Sequence, residues 1–449
     1  MCAAVVCLLT CAPTGCGDVD SPCGYDNVRD RDIVITDGSG VDEIDGRAHI
    51  DGSVLLCDNP DLKDLRALQG VRDIDGRLVI RNNGNLKSTS GIEDLERVGE
   101  HLVVTRNKKL AEFSSAESLQ HVEGNITFAR NDSLDVISDL PSLEFVGGKL
   151  SIKDGVSRLE FHSGHMELGS LQVSNTKLVS IGGLQGAKVG QVGIYNNNDL
   201  LTLPSFDSLV SASIVAIAEN PSLVSLDGFD ALKSADGIEI RDNLQTLSGL
   251  GNLENVKILQ LNNVGVSDLS GLTSLESVSA FWIADSPLES LTGLESLTQL
   301  GFFSVNRTLI KDFTGLENLT WLAELRVSTN PELESMDGLE GIVAINDEEG
   351  NIEVGMELGD LNIAGNEKLS NLDGLHQVRR IGRSLSITGN PSLPTCAIEE
   401  LLDLVGRGNI GSSGASVTVR ANDDPCDPDP CTGGTCVMDC SVAEDYVCN

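Results

Sequence analysis

Residues 215–220 read Val-Ala-Ile-Ala-Glu-Asn, and residues 220–232 continue as NPSLVSLDGFDAL. Val215 and Ile217 alternate with Ala216 and Ala218, the two-residue period of a short strand with one face turned inward. Asn220 closes the strand, where a side-chain amide can satisfy backbone groups that point along a stack. Leu223, Leu226, Phe229 and Leu232 then follow at three-residue intervals. An α-helix, at about 100° per residue, would carry such a row some 60° off its apolar stripe at every step. A bent, partly 3₁₀ or extended arc that turns every third residue inward fits better.

The same grammar runs through the chain. A six-residue frame of an apolar residue, any residue, a third that is usually Ile/Val/Leu, any two residues and a corner position that favours Asn recurs seventeen times, mostly 21 to 24 residues apart. The pattern starts at Ile33, Val54, Leu78, Leu102, Ile126, Leu150, Leu171, Val192, Val215, Ile238, Leu259, Phe281, Phe303, Leu325, Leu361, Leu385 and Val417. Its sixth position is Asn in eleven of them, and this regularity excludes chance. A period of this size marks a solenoid, in which no single repeat buries its apolar side without neighbours. The expected fold is therefore mainly β, a single parallel solenoid of about 17 turns. Residues 396–405, CAIEELLDLV, carry apolar positions at 398, 401, 402 and 405, which predicts a short C-terminal capping helix.

Charge narrows the partners. Lys plus Arg number 31 against 68 Asp plus Glu, a net charge of −37. Such a surface repels nucleic acid and anionic membranes. No stretch reaches the length of apolar sequence that a membrane-spanning helix needs.

The cysteines sort to the two ends. Cys23 and Cys57 lie near the first turns, and Cys396, Cys426, Cys431, Cys436, Cys440 and Cys448 near the last. These eight are candidates for disulfide-stapled ends, which implies an oxidising compartment. Residues 1–16 read as an export segment with a short apolar run. Its Thr14-Gly15-Cys16 resembles the end of a bacterial lipobox, which implies lipidation at Cys16 and a membrane contact through that anchor alone. The expected organisation is 1–16 export segment, 17–30 cap or linker, 31–422 solenoid and 423–449 Cys-rich tail.

The segments LERVGEHLVVTRNKKL (95–110) and LEFVGGKLSIKD (143–154) resemble the receptor L domain. ILQLNNVGVSDLSGLTSLESV (258–278) and ELRVSTNPELESMDGLEGI (324–342) look like the leucine-rich repeats of internalin-type surface proteins. Both resemblances imply a parallel solenoid, the first of them right-handed. The tail, with Cys426, Cys431, Cys436 and Cys448, resembles the first part of an EGF-like module, departing from it by an added Cys440. Neither solenoid family transfers an activity, because each member builds its own binding face.

Strand alternation allows the outward face to be read directly. Of thirty-four outward positions in two columns, one is a carboxylate, Glu239. A carbohydrate-active β-helix enzyme needs clustered acids, so this count disfavours that alternative. Catalytic signatures such as GxSxG, HExxH and the Walker loop are missing. Glu219, Glu239 and Asp242 beside Arg241 read as a salt-bridged patch, and His162 with His165 as too few ligands for a metal. No catalytic residue, metal or cofactor is expected.

Trp282 falls on the outward face. With Tyr195, Glu239, Arg241, Gln260, Asn306 and Arg326 it makes an aromatic and polar strip of the kind that binds an extracellular protein or carbohydrate. The repeat after Leu325 is 36 residues long, and its extra stretch, AINDEEGNIEVGMELGD (344–360), breaks the regular wall. The reading is a non-enzymatic binding solenoid at the cell envelope or secreted. The alternative is a structural envelope protein without a specific ligand.

Overall fold

The computed structural model describes residues 28–37, 44, 46–161, 166–346, 358–411, 416–420, 422 and 446–448. Cys16, Cys23, His162, His165, Cys426, Cys431, Cys436 and Cys440 lie outside the described residues, as does most of the EGF-like tail. The chain divides into two compact units, Met1–Ala231 and Leu232–Asn449.

The first unit is a parallel β-solenoid. Its main ladder comprises β1 (Ile33–Ile35), β2 (Val54–Cys57), β3 (Leu78–Arg81), β4 (Leu102–Thr105), β5 (Ile126–Ala129), β6 (Phe145–Lys153), β7 (Glu167–Ser174), β8 (Lys188–Tyr195) and β9 (Ser211–Ala218). The register stacks Ile33 on Val54, then Leu78, Leu102, Ile126, Leu150, Leu171, Val192 and Val215. These are the first positions of the sequence pattern, turn upon turn. A second row of short strands, starting with His49–Ile50, Asp73–Ile74, Arg97–Val98 and His121–Val122, pairs in parallel alongside. From β6 onward the two rows merge into strands of eight or nine residues.

The second unit repeats the architecture. Its ladder comprises β10 (Ser234–Arg241), β11 (Asn255–Asn262), β12 (Ser277–Ala284), β13 (Gln299–Asn306), β14 (Trp321–Ser328), β15 (Leu361–Ala364), β16 (Leu385–Thr388) and β17 (Val417–Arg420). Ile238, Leu259, Phe281, Phe303, Leu325, Leu361, Leu385 and Val417 stack in register. β14 pairs directly with β15 despite the long repeat between them.

The three-residue rows fill the core as expected. Leu244, Leu247, Leu250, Leu253 and Val256 are all buried on one arc, and short 3₁₀ turns mark others at Ser270–Leu272 and Asp373–Leu375. Helix α1 (Thr395–Val405) buries Ile398, Leu401 and Val405. It occupies the stretch between β16 and β17, so it takes the place of an arc instead of closing the chain's last ladder strand.

Most ladder strands are followed by a residue in the left-handed region, such as Asn82, Asn196, Asn263 or Thr329, and the corner position comes next. That reversal swings the next side chain inward. Asn83 Oδ1 accepts the Asn59 amide at 3.1 Å, while Asn83 Nδ2 donates to Leu56 O at 2.8 Å on the preceding turn. Asn107 and Asn131 continue the same bonds. At two positions where the pattern lacks Asn, a hydroxyl joins the ladder: Thr176 and Thr308 each donate both amide and hydroxyl to the Asn of the next turn.

Not every residue of the two outward columns meets solvent. Leu55, Cys57 and Val79 are fully buried as a separate apolar cluster, with Val34 and Val103 packed against it. Ala216, Ser151 and Gln172 are buried too. Strands about 4.8 Å apart leave a small or flat side chain flanked by its column neighbours, so facing outward does not ensure contact with water.

Candidate functional site

Of the strip expected from sequence, Tyr195 belongs to the first unit and the other six residues to the second. Tyr195 ends β8, half-buried, its ring folded over Gly193, where a Cβ would stand 2.8 Å from Cε2. Glu219 also lies in the first unit, in the left-handed position after β9.

In the second unit, parallel pairing places Gln260, Trp282, Ser304, Arg326 and Asn362 in one column across five strands. Trp282 and Arg326 are drawn together by residues outside the expected strip. Phe302 stacks against Trp282 with ring centroids 4.9 Å apart, and the Arg326 guanidinium sits 5.2 Å from the centre of the same Phe302 ring. Ala280, Phe302, Ala323 and Leu358 form a buried cluster of their own, against which Trp282 and Trp321 pack half-buried. The cover over Trp282 thus comes from the adjacent strand. Phe302 and Glu324 stand one residue ahead of the sequence pattern, on the lengthened part of β13 and β14. The doubled aromatic Phe302-Phe303 and the lone acid in LAELRV were the available signals.

Arg326 donates from Nε (2.7 Å) and Nη2 (2.6 Å) to Oε1 of Glu324, which is fully buried. Glu324 Oε2 makes no hydrogen bond of ordinary geometry, and neither does the buried Asn362 Oδ1 on β15. Burial pushes the Glu324 carboxyl above the usual carboxylate range, opposed by the charge and hydrogen bond of Arg326; Asp360 acts both ways, its carboxylate raising the value and its amide lowering it. A second pair repeats the theme on β10: Arg241 Nη2 lies 2.5 Å from Glu239 Oε1, and burial likewise raises the Glu239 carboxyl against the pull of Arg241. Asn306 donates from Nδ2 to Ser328 Oγ at 2.5 Å. The face therefore presents the half-buried Trp282 backed by buried Phe302, two arginines each anchored by a buried acid, and amide groups. It offers apolar area, cationic donors and hydrogen-bonding edges.

Because native Glu324 carries a raised pKa, ionising it costs the fold stability. That cost is absent below the ordinary carboxylate pKa and complete above the raised one. Glu324→Gln is therefore expected to gain stability relative to the parent as pH rises from 4 to 8. Urea midpoints at both pH values would show it, and a difference independent of pH would count against the assignment.

The strand, asparagine corner and leucine arc of each turn settle the architecture. Each unit of the chain is a parallel β-solenoid. No family model matches it, nor does any curated protein. Among solved structures it is similar to an internalin from Listeria monocytogenes, at 12% identity and TM-score 0.30 over 86% of this chain and 84% of that one. It is also similar to a leucine-rich-repeat protein of Leptospira interrogans, at 14% identity and TM-score 0.32 over 83% and 97%. A leucine-rich-repeat protein of Bacteroides thetaiotaomicron aligns at 12% identity and TM-score 0.34 over 83% and 50%.

Proposed function

We propose that the chain is an exported, non-enzymatic solenoid that binds an extracellular protein or carbohydrate through the sheet face of its second unit. The observation that carries this reading is the Trp282–Phe302–Arg326 stack on an otherwise polar ladder. Tryptophan and arginine concentrate binding energy where they are partly desolvated and held rigid. Here Phe302 holds the indole, and buried Glu324 holds the guanidinium. Export is supported by the gathering of the cysteines toward the two ends of the sequence, where they are candidates for disulfide bonds, a state at home in oxidising compartments. Pairing of the candidate cysteines and a lipid on Cys16 belong to the same proposal.

Arrays of acidic and neutral oligosaccharides and of extracellular protein domains, probed with parent and Trp282→Ala proteins, test it. The expected result is a ligand whose affinity falls at least about tenfold in the variant, the loss of a hot-spot side chain. Equal binding by both proteins would overturn the assignment of this face, and silence of both on every array would favour a purely structural role.

A further inference from the structure

In the first unit, the row of short strands places three metal-ligating side chains together. His49 Nε2 lies 3.2 Å from Asp51 Oδ1 and 3.4 Å from Asp75 Oδ2. The three ligand atoms all fall within 4.8 Å of one another. We infer that His49, Asp51 and Asp75 form a binding site for a divalent transition-metal ion, zinc foremost.

The separations suit the chemistry. Around a tetrahedral zinc with ligands at about 2.0–2.1 Å, neighbouring ligand atoms stand roughly 3.3–3.4 Å apart. Both measured nitrogen-to-oxygen distances bracket that value, and solvent can complete the shell because all three side chains are exposed.

The backbone holds the ligands in place. His49–Ile50 pairs with Asp73–Ile74, and the Asp75 amide donates to Ile50 O at 3.0 Å, so Asp51 and Asp75 follow their strands at equivalent positions on adjacent turns. Gly52 and Gly76 come next in each turn. A Cβ at Gly52 would stand 2.2 Å from Arg31 O, and one at Gly76 2.4 Å from Ser53 Oγ, so these corners lie hard against the preceding turn. Two carboxylates in successive turns repel each other, and a cation between them removes that cost. Arg97 Nη1 contacts the other oxygen of Asp75, Oδ1, at 3.3 Å. It orients this carboxylate as outer-shell partners of metal ligands do, leaving Oδ2 toward the imidazole.

An imidazole and two carboxylates suit zinc or cobalt(II); calcium prefers six to eight oxygens. The test is calorimetric titration of the chelator-treated full chain, disulfides intact, with zinc chloride and separately with calcium chloride. Visible spectra with cobalt(II) accompany it. The variants are His49→Ala, Asp75→Asn and, as a control, His121→Ala, which alters a histidine outside the cluster. The expected result is one zinc equivalent present in the parent and His121→Ala but lost in His49→Ala, weakened at least about tenfold in Asp75→Asn, with tetrahedral cobalt bands that follow the same pattern. Zinc binding and cobalt spectra shared by the parent and His49→Ala would overturn the site and leave a plain ion pair. Calcium binding that depends on the same residues in place of zinc would overturn the assignment of the ion.

Discussion

Gly293→Ala is expected to destabilise the second unit by about 3 kcal/mol or more, through two effects that add. Gly293 has φ +107°, a region that a residue with a Cβ enters at a cost of order 1–3 kcal/mol. A Cβ there would also stand 2.0 Å from Leu269 O and 2.3 Å from Leu269 C, both backbone atoms of the preceding turn. No rotamer can relieve a clash between Cβ and backbone, so the turns must separate, with a strain of roughly 1–3 kcal/mol. The arc recurs: Gly315 and Gly338 have φ +108° and +102°, each over a carbonyl of the turn before. The Gly293, Gly315 and Gly338 amides donate to the carboxylates of Glu295, Glu317 and Glu340 two residues on. Gly251→Ala is the matched control, because its Cβ would meet nothing within 4 Å. Chemical unfolding of both variants decides the matter; similar midpoints would show that the turns yield more easily than this packing implies.

Asn330→Ala is expected to cost about 3 kcal/mol. Asn330 Oδ1 accepts the Thr308 amide at 3.0 Å and its hydroxyl at 2.9 Å, and Nδ2 reaches Val305 O at 3.2 Å and Asn366 Oδ1 at 3.2 Å. The residue is fully buried. Truncation leaves several dry polar groups without partners, each costing about 1–3 kcal/mol before relaxation. Asn318→Ala removes an exposed amide that donates to Glu295 O at 2.9 Å, and should change stability by no more than about 0.5 kcal/mol. Amide hydrogen exchange should show the Asn330→Ala loss centred on β13 to β15, since neighbouring turns stabilise one another. Equal costs for the two variants would mean that the buried ladder contributes no more than a surface bond.

The candidate face was partly legible. Two-residue alternation placed Trp282 and Arg326 in one outward column, and the register of β12 to β14 agrees. Phe302 and Glu324 escaped because the six-residue pattern begins one position after them; extending it backward by one residue would have put both on the same side. The hydroxyl rungs at Thr176 and Thr308 were missed because the pattern asked for asparagine where any side chain with a donor to the next turn suffices. No pattern in the sequence marked the His49–Asp51–Asp75 grouping, whose members belong to two different turns.

The sequence by itself determined the turn: a strand from alternation, a corner from asparagine, an arc from every third apolar residue. Those features follow from local backbone geometry, which acts over a few residues and repeats wherever the residues repeat. Tertiary structure alone decided what each outward side chain meets. Glu239 is buried beside Arg241, Leu55 lies in a second apolar cluster, and Trp282 rests on Phe302. The packing of Leu55 and Trp282 depends on the side chains of adjacent turns, about twenty residues away or more, as Trp282 does on Phe302, and on the register that brings the strands abreast. Periodicity within one turn cannot specify that packing.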